Sequence, residues 1–420
     1  MAKQMTEKEA ELLVERLIRR VEQANILFLE KVGNTVKKIR ELTPSQAQKL
    51  IQILKYGGTY EEIIQQISKY TDLNLQDIDN IMSNYAKKDR QFYEEFYRYR
   101  NIPFDESSAL KSQRKTLTEL VKTEMYDYTR KNVLGYAMKG LDKKKHFYGL
   151  RETYNRVLDE AFLNVGQGKE TFDEAMSNIL KKLGGSGLRT IEYKDTGYSM
   201  RLDSAIRMHL KNRLRELHNE NQKIIGEEIE ADGVEISVHE NPAPDHTEAQ
   251  GRQFSTVRPS NYEKSEWEKL QAGEEATDYT GKKITLNPEH RKTHRPISEM
   301  NCYHYIFSII LGVNKPEYDE KQLQEIKNKN KEGFEYEGKH YTMYEGTQIQ
   351  RNIEKNIRQL KDIQILAKAS DNKKLINECQ SKITVYTNKY NTLNKVSGLS
   401  PKAKRLTVSG YKRVAKKDLK

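Results

Sequence analysis

Cysteine is almost missing from this chain. Of 420 residues, only Cys302 and Cys379 carry a thiol. Two thiols build no disulfide framework, and their scarcity suits a reducing compartment. Long apolar runs are missing as well. No stretch approaches the length of about eighteen apolar residues that a membrane-spanning helix needs. The opening MAKQMTEKEAELLVERL is charged throughout, which argues against a secretory signal. Nor is the chain polar enough for wholesale disorder: 36% of residues are hydrophobic against 32% charged, so folded domains with much exposed surface are expected.

What is abundant is positive charge. The formal net charge is +12, a balance that favours polyanions through long-range attraction and counterion release and says nothing about sequence preference. A soluble protein with surplus lysine would show the same total. The length suggests two or three domains.

The N-terminal half reads as helices. Thr6 and Glu9 form a capping box before an apolar series at Leu12, Leu13, Leu17, Val21 and Leu27. Thr43-Pro44 opens a second helix carrying Leu50, Ile51 and Leu54, which Gly57-Gly58 ends. Helical spacing continues at Tyr60, Ile63, Ile64 and Ile67, and Asn74 caps a further helix with Ile78, Ile81 and Met82. The stretch DRQFYEEFYRYR, 89–100, mixes aromatics with arginines. It suits base stacking with phosphate contact, or a helix with aromatics inward and charges outward. More helices are expected at 106–132, 148–164 and 169–184. LGGSG, 183–187, is a strong break and marks the main domain boundary.

Beyond it the pattern changes. RTIEYKDTGYSMRL reads as a hairpin around Asp-Thr-Gly. Asp203 caps a long helix to about Glu230. DGVEISVHE alternates Val234, Ile236 and Val238 against Glu235 and Ser237, the mark of a half-buried strand. From Thr347, Ile349, Ile353, Ile357 and Leu360 share a helix face. Ser370, Asp371 and Asn372 interrupt it, and Leu375, Ile376, Cys379, Ile383, Tyr386 and Tyr390 resume it. This is a helical hairpin, suited to packing on a neighbouring subunit. The last twenty residues, PKAKRLTVSGYKRVAKKDLK, carry Lys402, Lys404, Arg405, Lys412, Arg413, Lys416 and Lys417 and read as a mobile tail that binds DNA or an acidic partner, or only aids solubility.

The fold class expected is therefore mainly α with a smaller α+β domain. The helical N-terminal half covers 1–183, a mixed α/β central domain 188–315, a C-terminal helical hairpin 345–395, and a basic flexible tail 396–420.

Histidines cluster. His239 and His246 lie in HENPAPDHTEAQGRQFS, and His290, His294 and His304 in or beside NPEHRKTHRPISEMNCYHYI, with Cys302 among them. Two groups of His and Cys brought together can bind zinc, which takes four N or S donors, although no Cys-x-x-Cys is present and six candidates exceed one site. His246 with Asp245 and Glu248 offers acid–base chemistry of a metal-dependent nuclease or injected effector enzyme. A third reading is that prolines and Gly251 shape a tight loop in which the histidines satisfy backbone groups.

DGVEISVHENPAPDHTEAQGRQFS, followed by NCYHYIFSIILGVNKPEY, resembles the phage minor capsid protein 2 family, related to head-morphogenesis proteins of the Mu F type. EGKHYTMYEGTQIQRNIEKNIRQLK is similar to the family's tail. The likeness is close over about 190–395. Carried over by position, His246, Gln250, Gly251, Phe254 and Ser255 match the first motif, and Asn301, Cys302 and His304 the second. The extra cysteines that Mu F relatives carry in the first motif are not present here. The resemblance implies a structural virion protein of the capsid, not an enzyme, made in the host cytoplasm during head assembly. Its implied partners are the portal protein, the major capsid protein or other virion proteins, and packaged double-stranded DNA without sequence preference. No membrane and no cofactor are implied, a structural zinc apart.

Overall fold

The structure, a computed structural model, describes residues 7–40, 59–127, 133–139, 145–149, 156, 159–160, 163–165, 167, 169–186, 189–193, 198–286, 295–299, 302 and 304–414. The expected helix at Thr43-Pro44 and its Gly57-Gly58 stop lie outside them, as do His290, His294, Asn301, Lys416 and Lys417.

Helix α1, Glu7–Arg40, buries one stripe: Val14, Leu17, Ile18, Val21, Ala24, Phe28, Leu29, Val32 and Val36. The steps of three and four are those of a helix with one face in a core. Leu12 falls outside the stripe and is exposed, and Leu27 is half-buried. Helix α2 runs unbroken from Thr59 to Gln91, so Asn74 is not a cap. It is fully buried. Its amide donates to the Leu17 carbonyl at 3.4 Å and accepts from Arg20 at 3.1 Å. A residue type that favours helix starts is here spent on holding two helices together, because a buried amide must find partners.

The aromatic stretch takes the inward reading. After α2, the short α3, Glu94–Tyr99, buries Tyr97, and Tyr93 before it is also buried. The two phenols donate to Gln222 and Glu228. Phe92 packs 5.7 Å from Phe307, ring to ring. Only Tyr99 stands mostly exposed, so the segment is core and not a stacking platform for bases.

Helix α4 covers Ser108–Tyr126, and residues 128–132 of the helix expected over 106–132 lie outside the described residues. Strands β1, Val133–Lys139, and β2, Lys145–Gly149, follow; β2 takes the first two residues of the helix expected over 148–164, and within that span the described residues Arg156, Asp159, Glu160 and 163–165 are helical. Helix α5 spans Phe172–Ser186, so Gly184 and Gly185 of LGGSG are helical. A Cβ on Gly184 would lie 2.6 Å from Leu366 Cδ1 and 2.9 Å from Ile363 Cα. The glycines let this helix approach a C-terminal one closely, a packing role that a propensity argument cannot see.

Strands β3, Arg189–Tyr193, and β4, Tyr198–Arg201, form the expected hairpin and complete an antiparallel sheet ordered β2-β1-β3-β4. Helix α6, Leu202–Glu228, begins one residue before Asp203, with Arg201 at the N-cap. Strand β5, Gly233–Ile236, is the centre of a three-stranded sheet between β6, Gln253–Ser255, and β9, Ile306–Ile309. All four of its residues are buried, Glu235 included, which corrects the half-buried expectation. The Glu235 carboxylate accepts from Gln253 at 2.7 Å and from the Glu317 N–H at 3.2 Å, and burial raises its pKa. Between β6 and β9 lie helix α7, Glu266–Gln271, and a small ladder of β7, Ala276–Thr277, with β8, Lys283–Ile284.

Helix α8, Glu320–Glu332, and the hairpin of β10, Phe334–Tyr336, with β11, Lys339–Tyr341, lead to the C-terminal pair. Helix α9, Met343–Ala369, starts four residues before Thr347, because Thr342 and Glu345 form a reciprocal capping box. Helix α10 covers Lys373–Ser397, after Asp371 in the left-handed region and an Asn372 cap. The hairpin packs on its own chain. Leu366, Ala367, Leu375 and Cys379 join the core formed by α1, α2, α4, α5 and α6. A Cβ on Gly33 would lie 2.5 Å from that of Ala369. The basic end is docked as far as Val414, not loose: Val408 is buried in the same core, Ser409 donates to Glu22 at 2.8 Å, and Lys361 lies 4.8 Å from the Tyr411 ring centroid. Among the described residues, no helix is long and apolar enough to cross a membrane.

Candidate functional site

Strand β5 delivers the chain into the loop 237–252, and β6 brings it back against the same strand. The return requires Gly251. Its φ is +70°, its N–H donates to the Ile236 carbonyl at 2.8 Å, and a Cβ there would meet Leu323 Cδ2 at 2.5 Å and Val238 Cγ2 at 2.8 Å. Gly251→Ala should therefore lose about 1–2 kcal/mol to the left-handed backbone and a similar amount to displaced neighbours. A urea midpoint equal to that of the parent protein would refute this account of the turn.

Phe254 is fully buried and pairs with Val234 across the ladder. The Ser255 hydroxyl donates to the Asp232 carbonyl at 3.4 Å and accepts from the Val257 N–H at 3.2 Å. Gln250 is buried, and its amide oxygen accepts the His239 N–H at 2.9 Å. That bond fixes which end of the amide is oxygen. The same oxygen lies 3.4 Å from His304 Nε2.

The second motif closes on the first. His246, Cys302 and His304 are buried together. His246 Nε2 lies 2.8 Å from the Arg295 carbonyl, which can only accept, so Nε2 carries the hydrogen and Nδ1 presents its lone pair. That Nδ1 is 3.4 Å from Cys302 Sγ, and His304 Nδ1 is also 3.4 Å from it. His304 Nε2 is turned to Gln250, so its tautomer is the same. The Ser298 N–H donates to Sγ at 3.3 Å. Burial pushes the Cys302 thiol up, and burial followed by the nearby His239 and His246 holds His304 well below the usual histidine range. His239 stacks edge-on against His304, centroids 4.7 Å apart. The sequence-predicted histidines 239, 246 and 304 are thus neighbours.

The acid–base grouping is not assembled as expected. Asp245 is gripped by Arg295 in a two-pronged, buried ion pair, Nε and Nη2 each at 3.0 Å. Glu248 pairs with Lys327 at 2.5 Å. His246 has its Nε2 on a backbone carbonyl, 3.8 Å from Asp245. Each member of the trio is already committed to a partner that holds the loop.

Sequence reasoning missed the salt bridges that brace these motifs. Arg252, inside QGRQFS, donates to the Glu248 carbonyl at 2.8 Å and to Asp278 at 2.7 Å, and reaches Glu320 at 2.8 Å. The Arg252 and Lys282 cations hold the Glu320 carboxyl down at about 2. Asp278 also accepts the Thr280 and Lys282 N–H groups at 2.9 Å, turning the chain between β7 and β8. An Asp followed two and three residues on by Thr-Gly is the only local signal for that turn, and nothing local points to Arg252.

Of the basic C-terminal residues, Lys402, Lys404, Lys412 and Arg413 are exposed, while Arg405 is half-buried with its guanidinium 3.9 Å from Glu354.

Compared with known proteins, residues 5–394 match the family model described as phage minor capsid protein 2. No curated protein and no solved structure matches the chain.

Proposed function

The chain belongs to the phage minor capsid protein 2 family, and from that premise we propose that it is a portal- or inner-shell-associated head component that also contacts packaged DNA. Membership makes it a minor capsid protein of the virion, one that works against other virion proteins. The helical body, α1 to α6 with the α9–α10 hairpin, is the docking element for the portal or inner shell. The exposed Lys402, Lys404, Lys412 and Arg413 offer phosphate contacts beside it.

One observation supports assembly rather than turnover most strongly. The two motifs that carry the family likeness close on one another as a buried unit, with His246, Gln250, Cys302 and His304 all at most a few per cent exposed. Their polar atoms are directed at one another and at backbone groups.

Quantitative mass spectrometry of cross-linked virions tests the docking. The expected result is a few copies per particle, with cross-links from α1–α6 to portal or inner-shell lysines. Copy numbers near that of the major capsid protein, or no such cross-links, would overturn the assignment. The DNA contact is tested by replacing Lys402, Lys404, Lys412 and Arg413 together with Gln. Deleting 401–420 is the wrong experiment, because it strips Val408 from the core. If all four touch phosphate, the log–log salt slope of DNA binding should fall by about 3–4. An unchanged slope would remove these residues from any DNA surface.

A further inference from the structure

We propose that His246, Cys302 and His304 form a zinc site, with His239 supplying the fourth ligand, and that the ion locks the loop 237–252 to the segment entering β9. The inference goes beyond the assembly role and stands whether or not the protein docks on the portal.

Three donor atoms converge here, the two Nδ1 atoms and Sγ, all within 4.8 Å of one another and each from a buried residue. Tetrahedral zinc with bonds of about 2.3 Å to sulfur and about 2.0–2.1 Å to nitrogen separates those two donors by about 3.5 Å. Both Nδ1 atoms already lie 3.4 Å from Sγ. The ring orientations are those of ligands. Each histidine turns Nε2 outward to an oxygen, the Arg295 carbonyl or the Gln250 amide, and Nδ1 inward to the sulfur. Outer hydrogen bonds of this kind fix tautomer and direction in metal-binding histidines. A hydrogen-bonded cluster alone explains the grouping less well, since two acceptor nitrogens face a single S–H.

The remaining pieces agree. The Ser298 N–H at 3.3 Å from Sγ suits a thiolate. Asp245 pairs with Arg295 beside the cluster and so offsets part of that guanidinium's opposition to a cation. His239 is beside His304, and its backbone is tied to the same Gln250 oxygen that orients the His304 ring. Imidazole nitrogen and thiolate donors, of which three are buried together here, are the preference of zinc over magnesium or calcium.

The test uses the full chain. Purified protein is expected to hold about one zinc per chain by elemental analysis. Refolded with Co²⁺ in its place, it should show the visible bands of a tetrahedral ion and a near-ultraviolet thiolate-to-cobalt charge-transfer band. Cys302→Ser should abolish the charge-transfer band, whereas Cys379→Ser, buried in the α10 core, should keep it. His239→Ala should weaken zinc binding at least tenfold in a chelator competition. Gln250→Ala, which touches no metal, should weaken it by about 10–100-fold through the freed His304 ring. Folded parent protein, checked by circular dichroism, that takes up neither ion would overturn the proposal. So would a charge-transfer band that survives Cys302→Ser. Parent affinity in His239→Ala would overturn the four-ligand assignment.

Discussion

Asp362→Ala should cost about 3–5 kcal/mol of unfolding free energy, the usual cost of removing one partner from a buried ion pair. Asp362 lies in α9 and is fully buried. Its carboxylate accepts from Arg201, which also reaches Asp203 at 3.1 Å, and from Asn25 in α1 at 3.4 Å. Asp203 is bound in turn by Arg358 of α9, whose guanidinium lies 3.9 Å from Glu22 of α1. Three helices from distant parts of the sequence thus share one charged cluster. Burial alone raises the pKa of Asp362, and the guanidiniums oppose that rise. Without the carboxylate, Arg201 keeps only Asp203, which Arg358 already uses. Urea unfolding followed by circular dichroism would measure the loss, and Asp362→Asn should retain part of it. A change under 1 kcal/mol would mean that water reaches the cluster and that it does not bolt the hairpin to the N-terminal helices.

Asp245→Ala should be comparably severe, again about 3–5 kcal/mol, but its effect should be local first. The Asp245–Arg295 pair joins the loop after β5 to the segment before Cys302, and both side chains are at most 7% exposed. Arg295 also supplies the carbonyl that sets the His246 ring. The variant should therefore expose 239–304 to protease well below the global unfolding midpoint, while the α1–α6 core still gives its helical signal. If limited proteolysis cuts the variant and the parent at the same rate, the pair is not what holds the two motifs together.

Much of this was legible in the sequence. Apolar steps of three and four marked α1, α9 and α10, and the Asp-Thr-Gly turn marked the β3–β4 hairpin, because those signals are local. Of the motif residues, His246, Gln250, Cys302 and His304 lie in contact with one another, while Phe254 and Ser255 pair along β6 with Val234 and Asp232. The errors share one physical source. Asn74 and Asp203 were read by their local preferences for caps. In the fold each sits inside a helix, where a distant partner takes its amide or its carboxylate. The aromatics of 89–100 went inward because α6 and Phe307 were there to receive them. The basic tail was read as mobile from its charge alone, yet Val408 and Tyr411 anchor it.

The sequence by itself determined where helices and turns can form, how basic the chain is and which motif it carries, since all three depend on neighbours along the chain or on simple sums. Only the tertiary structure decided which polar groups are buried and with whom: Asp362 with Arg201, Asp245 with Arg295, His246 and His304 with Cys302. Burying such a group is tolerable only when a partner arrives from elsewhere in the chain, and no local pattern records where that partner is.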